Sequence, residues 1–343
     1  MRSFLRYFLV LAIALAALTA ILPVYYDLPY PGQPGPVFDD DVRGRYIRIL
    51  EDYQVELALL GDSALEQGVD AYALSEMLDT PSYAIAVPGS TSAFWYLILK
   101  NVILESNPRP KYVALLYRDT ILTLPDFHVK GGYVNELDQY ATAHEDILVE
   151  RAYLNFMNPL EKLALAYFPP YISRQQTTDK VAYYARNAIP GFYLPCKGDC
   201  LDRAHAAVFD MDNMDEQTRE KALVGDEEAL FTARAMDFDG QVERSFLPEI
   251  IRLARENGVQ LILVHERTLL FPSAQAEPKA LQDYKHKLAA YLKDNNILLL
   301  DFSYDPRLPE SYFDDPLHMN ETGKAAFTGL LAEALKAVIE AEQ

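Results

Sequence analysis

Five short apolar runs constrain the fold of this chain more than any other feature of its sequence. Each run is continuous and does not alternate with polar residues; the runs occupy residues 55–61, 82–87, 112–117, 260–265 and 297–302. Strands that are buried on both faces have this composition, because helices cover both sides of a parallel sheet. The pattern therefore predicts five parallel strands.

Amphipathic helices are predicted between these strands. Leu74, Met77 and Leu78 recur at helical spacing after a probable cap at Asp70, and the last helix shows a similar spacing. The alternation of strand and helix predicts an α/β fold with a doubly wound parallel five-stranded sheet. Between residues 120 and 240 this alternation stops, and we interpret that stretch as a large, mostly helical insertion.

The N-terminus is predicted to be a transmembrane helix. The 20 residues from Tyr7 to Tyr26 carry no charge, and a helix of that length spans about 30 Å of hydrocarbon. Arg2 and Arg6 precede the segment, which places the N-terminus in the cytoplasm and the remaining chain outside it. A cleaved signal peptide is the main alternative, because Leu18-Thr19-Ala20 is a passable cleavage site.

This interpretation divides the chain into an anchor over residues 1–26, a Pro- and Gly-rich stalk over 27–43 and one domain over 44–343. The chain has 50 acidic and 31 basic residues, and its formal charge is −19. Nucleic acid is not expected as a partner, because binding to its phosphates requires a basic surface. Attachment to a membrane would depend on apolar burial and not on charge.

Candidate site residues follow the predicted strands, where open parallel sheets bind their ligands. In chain order they are Ser63, Gly89, Arg118, Arg267, Asp315 and His318. A hydroxyl nucleophile, a glycine amide, a carboxylate and an imidazole at one edge of a sheet are the groups that acyl transfer requires. Each is a weak signal alone, since a serine at the position of Ser63 is often only a helix cap.

The spacing Asp-x-x-His does not identify the base, because three pairs have it. Asp283 and His286 lie on an amphipathic helix, and Asp202 and His205 lie in the insertion. Only Asp315 and His318 follow the last strand and precede a helix, for which Asn320 is a plausible cap.

Three segments together resemble the SGNH (GDSL-like) hydrolase superfamily: LLGDSALEQGVD at 59–70, AVPGST at 86–91 and FDDPLHMNETG at 313–323. More narrowly, the chain is similar to the exported, membrane-anchored branch that accompanies membrane-bound O-acyltransferases. That branch includes alginate acetylation accessory proteins and the D-alanine transfer protein of lipoteichoic acid synthesis. The resemblance covers residues 55–323 apart from the insertion. It implies Ser63 as nucleophile, His318 as general base, Asp315 as the group that orients the imidazole, and the amides of Gly89 and Ser63 as oxyanion donors.

The third family segment departs from this resemblance. The family usually has Gly-x-Asn-Asp there, whereas this chain has Tyr117, Arg118 and Asp119 and no asparagine. Arg118 could replace the missing amide donor, or the oxyanion hole could be incomplete. Arg267 could bind an anionic substrate or form a structural ion pair.

The two cysteines, Cys196 and Cys200, are expected to form a local disulfide in an oxidising compartment, with two free thiols as the alternative. No metal-ligand cluster or phosphate-binding glycine loop is evident, so no metal and no cofactor are expected.

The predicted function is that of an exported, membrane-tethered O-acyltransferase or esterase. It would act on hydroxyl or ester groups of a cell-envelope polysaccharide or other polymer through a Ser-His-Asp acyl-enzyme, beside a membrane-bound O-acyltransferase. The alternative is a catalytically silent scaffold that presents a polymer to that partner.

Overall fold

A computed structural model describes residues 2–25, 41–130, 133–142, 145–155, 157–167 and 227–340. The chain divides into two compact units. One contains Gly35–Asn155 and Glu220–Gln343 and includes the sheet, and the other contains Met1–Pro34 and Phe156–Arg219. Both ends of the predicted insertion therefore belong to the unit that carries the sheet.

The sheet has five parallel strands, as the apolar runs predicted. The strands are β1 (Leu57–Gly61), β2 (Ser82–Ala86), β3 (Tyr112–Tyr117), β4 (Gln260–His265) and β5 (Leu298–Asp301). Their order across the sheet is β2-β1-β3-β4-β5, and every neighbouring pair is parallel. Since β1 lies inside the sheet and the order reverses there, the carboxyl ends of β1 and β3 form a topological switch point.

Helices precede, connect and follow these strands. In the described residues they are α1 (Arg2–Tyr25), α2 (Asp41–Asp52), α3 (Ser63–Gly68), α4 (Ala71–Leu78), α5 (Ser92–Ile98), α6 (Tyr133–Asp138), α7 (Asp146–Leu148), α8 (Pro159–Tyr167), α9 (Phe238–Gln241), α10 (Leu247–Glu256), α11 (Lys279–Asp294) and α12 (Glu321–Glu340). Two helices continue as π-helical turns, over Leu99–Ile103 and Val149–Leu154, and short 3-10 turns occupy Ile121–Thr123, Glu228–Phe231, Val242–Arg244, Ala274–Ala276 and Glu310–Tyr312.

The core lies on both faces of the sheet. Along β1, Ala58 and Leu60 belong to one apolar cluster, whereas Leu57 and Leu59 belong to the other. Successive side chains of a strand point to opposite faces, so the continuous apolar run of β1 is needed to fill both clusters.

One detail of the predicted helix α4 differs from the structure, and another is confirmed by it. Met77, assigned to the apolar face of α4, is 50% exposed, because the buried contacts of this helix come from Leu74 and Leu78. Asp70 caps α4 as predicted, with its carboxylate accepting hydrogen bonds from the amides of Tyr72 and Ala73.

The N-terminal segment forms one continuous helix, α1. None of the helices in the described residues combines the length and the apolar character that crossing a membrane requires. The transmembrane helix predicted for Tyr7 to Tyr26 is therefore not found among the described residues. Residues 26–40, which make up most of the predicted stalk, lie outside the described residues, as do Cys196 and Cys200.

Two glycines of α12 should respond in opposite ways to alanine. A Cβ at Gly323 would lie 2.2 Å from the carbonyl oxygen of Tyr312, whereas one at Gly329 would meet nothing within 4 Å. We expect Gly323→Ala to lower the free energy of unfolding by about 1–3 kcal/mol, because backbone must move to admit the methyl group. Gly329→Ala should raise it by about 0.5–1 kcal/mol, because alanine is the better helix former. Urea unfolding of both variants measures the difference, and equal effects would contradict this account.

Candidate active site

Ser63 lies at the carboxyl end of β1, where it is the first residue of α3. Asp62 precedes it in extended conformation, and its Oδ1 accepts the amide of Ala64 at 2.9 Å. A Cβ at Gly61 would lie 2.8 Å from Cβ of Leu65, so only glycine allows strand and helix to approach this closely. The turn holds the half-buried Ser63 at the start of a helix.

His318 lies 255 residues further along the chain, and its ring nitrogen Nε2 is 2.9 Å from Oγ of Ser63. The other ring nitrogen, Nδ1, is 2.8 Å from Oδ2 of Asp315. The side chain of His318 is 9% exposed and that of Asp315 is 20% exposed. Hydroxyl, imidazole and carboxylate thus form one continuous chain of hydrogen bonds that is largely shielded from water.

Backbone hydrogen bonds hold the loop that carries Asp315 and His318. The amides of Leu317 and His318 donate to Oδ1 of Asp315 at 2.8 and 2.9 Å. Pro316 accepts from the amide of Leu269 at 2.7 Å, which joins this loop to the one after β4. Asn320 then begins α12, because its side chain accepts the amides of Thr322 and Gly323.

These hydrogen bonds determine the charge of Asp315. Burial alone raises the pKa of its carboxyl group, but the hydrogen bonds from His318 and Leu317 outweigh burial and bring the pKa below its ordinary value. Asp315 is therefore ionised throughout the neutral range. An ionised carboxylate accepts the proton on Nδ1, which leaves Nε2 of His318 as the acceptor for the hydroxyl of Ser63.

Gly89 lies in the turn that follows β2, and β2 is the strand beside β1. The backbone of Gly89 has a φ of +73°, in the left-handed region that favours glycine. Its carbonyl oxygen accepts from Nδ1 of His128 at 2.8 Å. The ring of His128 stacks on Tyr133, and a Cβ at Gly89 would lie 3.0 Å from that tyrosine ring. The structure thus places an aromatic cover over the turn that was predicted to donate to an oxyanion.

The predicted role of Arg118 as an oxyanion or substrate donor does not fit the structure. Its guanidinium group is buried and forms ion pairs with Oδ2 of Asp62, at 3.2 Å, and with Oε2 of Glu227. Two carboxylates therefore already hold this cation. Because Asp62 also caps α3, Arg118 instead supports the helix that begins with Ser63.

Two further buried carboxyl groups lie beside this ion pair. Burial raises the pKa of Glu266 well above its ordinary value, Asp62 adds to the rise, and Arg118 opposes it. Burial also raises the pKa of Asp119, which has a positive φ of 46° and one side-chain oxygen without a hydrogen-bond partner in the described residues. A single arginine thus lies among four acidic groups, some of which take up protons more readily than exposed carboxylates.

Arg267, for which the sequence left a substrate contact and a structural ion pair open, forms a hydrogen bond with a neighbouring loop. Its Nη1 donates to the carbonyl oxygen of Asp305 at 3.1 Å, which ties the loop after β4 to the loop after β5. Of the other Asp-x-x-His pairs, Asp283 and His286 are exposed on α11, and Asp202 and His205 lie outside the described residues.

The sequence did not assign Glu227 and His128 to the site. Both lie in the predicted insertion, where no motif or strand end marks them. Asp62 directly precedes Ser63 in the segment LLGDSALEQGVD. Its role as a helix cap could have been predicted from the sequence, because an aspartate is a common cap and a helix follows immediately.

Comparisons with known proteins give no family assignment. No family model and no curated protein matches the sequence. Among solved structures, the chain is similar to a candidate acylhydrolase from Bacteroides fragilis, with 13% identity, 88% of this chain and 99% of that chain covered, and a TM-score of 0.42. It is also similar to a GDSL-like lipase from Bacteroides thetaiotaomicron, with 13% identity, coverage of 86% and 99%, and a TM-score of 0.36. At these TM-scores, the interpretation of function rests on the geometry of Ser63, His318 and Asp315.

Proposed function

We propose that this chain is a serine esterase or O-acyltransferase that forms an acyl-enzyme on Ser63. The observation that carries the proposal is the continuous hydrogen-bonded chain from Oγ of Ser63 through the His318 ring to Asp315. A serine hydroxyl is a weak nucleophile unless a neutral imidazole accepts its proton, and this arrangement supplies that base in the required tautomer.

The reaction has two steps. His318 takes the hydroxyl proton through Nε2 while Oγ of Ser63 bonds to the acyl carbonyl carbon, and the imidazolium then gives that proton to the departing alkoxide. In the second step His318 takes a proton from an incoming hydroxyl, whose oxygen bonds to the acyl carbon. Ser63 regains its proton when the ester bond to it breaks. Water as the second nucleophile gives hydrolysis, and a sugar or polyol hydroxyl gives transfer.

The oxyanion of the tetrahedral intermediate would be bound by backbone amides. The amides of Ser63 and Gly89 are the proposed donors, because both follow neighbouring strands at the same edge of the sheet. Arg118, which follows β3, is not among the proposed donors, because its guanidinium group is already paired with Asp62 and Glu227.

Asp315→Asn should lower kcat for a small activated ester, p-nitrophenyl acetate, by about 10³- to 10⁴-fold and leave KM nearly unchanged. The carboxamide has no charge to stabilise the imidazolium, and its amide group can hold the imidazole in the wrong tautomer. Asp314→Asn is the matched control, because the neighbouring Asp314 is exposed. A decrease in kcat of less than tenfold would show that Asp315 has no role in the reaction.

A catalytically silent scaffold is the second candidate, and one observation favours it. The segment that usually carries an asparagine in the resembled family here carries Arg118, which is already paired with two carboxylates. On this alternative, the chain would bind a polymer without turning over esters.

Location and partners are also proposals. We place the domain outside the cytoplasm, attached to the membrane through its N-terminal segment and beside a membrane-bound O-acyltransferase that supplies the acyl group. The support is the uncharged stretch from Tyr7 to Tyr26 with Arg2 and Arg6 before it. Protease added to intact spheroplasts should digest the domain, and protection of the whole chain would contradict this location.

A fluorophosphonate probe tests the proposed function directly. We expect it to label the wild-type chain, with the adduct located on Ser63 by mass spectrometry, and not to label Ser63→Ala. Absence of labelling in folded wild-type protein would favour the scaffold. Product analysis with an activated acetyl ester, with and without oligosaccharide acceptors, then separates transfer from hydrolysis.

A further inference from the structure

A cavity lined partly by polar side chains lies at the carboxyl ends of the strands, apart from Ser63. It has a volume of about 340 Å³, within the usual range of small-molecule sites. Its lining residues come from the loop before α11, from α11 itself and from the end of β5: Ala274, Gln275, Glu277, Gln282, Lys285, Asp301, Ser303 and Tyr304. We propose that this cavity binds a polyhydroxylated ligand without negative charge, a saccharide unit.

Part of the polar lining is already paired, and this pairing shapes the cavity. Glu277 has a buried carboxylate whose Oε1 accepts from Nζ of Lys285 and from the hydroxyl of Tyr304. The amide nitrogen of Gln282 donates to the carbonyl oxygens of Ala274 and Glu277, both at 3.0 Å. These contacts hold the lining in place before any ligand binds, which lowers the entropic cost of binding.

The remaining polar groups are those that a hydroxylated ligand uses. Asp301 accepts through Oδ1 from Ser303 and lies 3.1 Å from Nδ1 of His265, so its Oδ2 is left for a ligand. The carbonyl oxygen of the Gln282 side chain is a second acceptor. Lys285 has three N–H donors and uses one of them on Glu277. A hydroxyl group both donates and accepts, so it can pair with each of these groups.

Charge disfavours an anionic ligand. Lys285 and Glu277 form an ion pair, so Asp301 supplies the uncompensated charge of the lining. Burial raises the pKa of Asp301, but hydrogen bonds from His265 and Ser303 outweigh burial and lower the pKa, so the group is ionised. An anionic ligand would be repelled by Asp301 and by the net charge of −19. Asp301 does not repel a cationic ligand, so charge selects against anionic ligands alone.

The cavity and Ser63 lie at the same edge of the sheet. Ser63 follows β1 and the cavity adjoins β5, three strand spacings away, which is about 14 Å. A polymer with one unit in the cavity could therefore extend towards Ser63. The use of this polymer as acyl acceptor rests on the proposed function, whereas binding of the saccharide does not.

Binding of three sugars to the full chain tests the inference. The probes are cellobiose, which is neutral, glucuronate, which is anionic, and glucosamine, which is cationic, and saturation-transfer NMR measures their affinities. We expect cellobiose and glucosamine each to bind at least about tenfold more tightly than glucuronate. Preference for glucuronate, or no binding of cellobiose up to roughly 50 mM, would overturn the proposal.

Three variants locate the binding. Asp301→Ala removes the open carboxylate, and Gln275→Trp places a bulky side chain at the exposed rim; each should weaken cellobiose binding by about tenfold or more. Asp294→Ala, an exposed acidic residue elsewhere on α11, is the control and should bind like wild type. Unchanged binding in Gln275→Trp, which breaks no internal hydrogen bond, would overturn the assignment even if Asp301→Ala misfolds.

Turnover of p-nitrophenyl acetate separates this proposal from the proposed function. The cavity variants should turn over this small ester at the wild-type rate, because it does not reach β5. Cellobiose binding without ester turnover would support the cavity and contradict the enzyme. Ester turnover without cellobiose binding would support the enzyme and contradict the cavity proposal.

Discussion

Ser63→Ala and His318→Ala should each lower kcat for p-nitrophenyl acetate by about 10⁴-fold or more, with the fold intact. Oγ of Ser63 is the atom that carries the acyl group, and Nε2 of His318, 2.9 Å away, is the base that accepts its proton. The double variant should be no slower than either single variant, because residues that act as one unit lose their effect together. Steady-state kinetics and thermal unfolding of the three variants measure both parts of the expectation.

The chain contains a matched control for each substitution. His286 has an aspartate three residues before it, as His318 does, but it lies exposed on α11. Ser311 is an exposed serine. His286→Ala and Ser311→Ala should keep the wild-type rate. If Ser63→Ala kept full activity, the chemistry would lie elsewhere in the protein.

Arg118→Met should lower the free energy of unfolding by about 3–5 kcal/mol, the usual cost of removing one partner from a buried ion pair. The side chains of Arg118, Asp62 and Glu227 are 6%, 4% and 5% exposed, so water does not replace the lost cation. The melting temperature should fall by roughly 10 °C. Activity should fall as well, because Asp62 positions the first turn of the helix that begins with Ser63.

The pH dependence of this loss has a definite sign. Burial raises the pKa of Glu227 even with Arg118 present, and the arginine opposes that rise. Without Arg118 the folded-state pKa rises further above that of the unfolded chain. A group with a raised pKa contributes stability at low pH and loses it as pH passes through the folded-state pKa. The deficit of Arg118→Met should therefore be smallest in acid and grow towards neutral pH.

An exposed arginine provides the control for stability. Arg307 is 54% exposed and pairs with Asp305 and Glu333. Arg307→Met should change the free energy of unfolding by less than about 1 kcal/mol, because exposed ion pairs contribute little. Equal losses in the two variants would show that burial of the Arg118 network does not matter for stability.

Local sequence patterns predicted the strands of this protein and several residues of its candidate site. The five strands are recognisable because burial on both faces requires continuous apolar runs. Such a run is visible in the local sequence, and it can be identified without knowing which strands lie beside it in the sheet. Ser63 is recognisable because it follows such a run in a motif. Asp315 and His318 are recognisable only by their place before the last helix, since two other pairs have the same spacing.

The tertiary structure decided which of these groups meet and what each can do. Arg118 stands at a strand end and its charge allowed an anion-binding role, but Glu227, 109 residues away, comes back to pair with it. Likewise, the cavity beside β5 joins Asp301 to Gln275 and Lys285 from separate elements. Sequence by itself determined the strands and the chemical types at their ends, because both depend on local pattern. Which charges are already paired depends on contacts between distant residues, and only the folded chain brings those residues together.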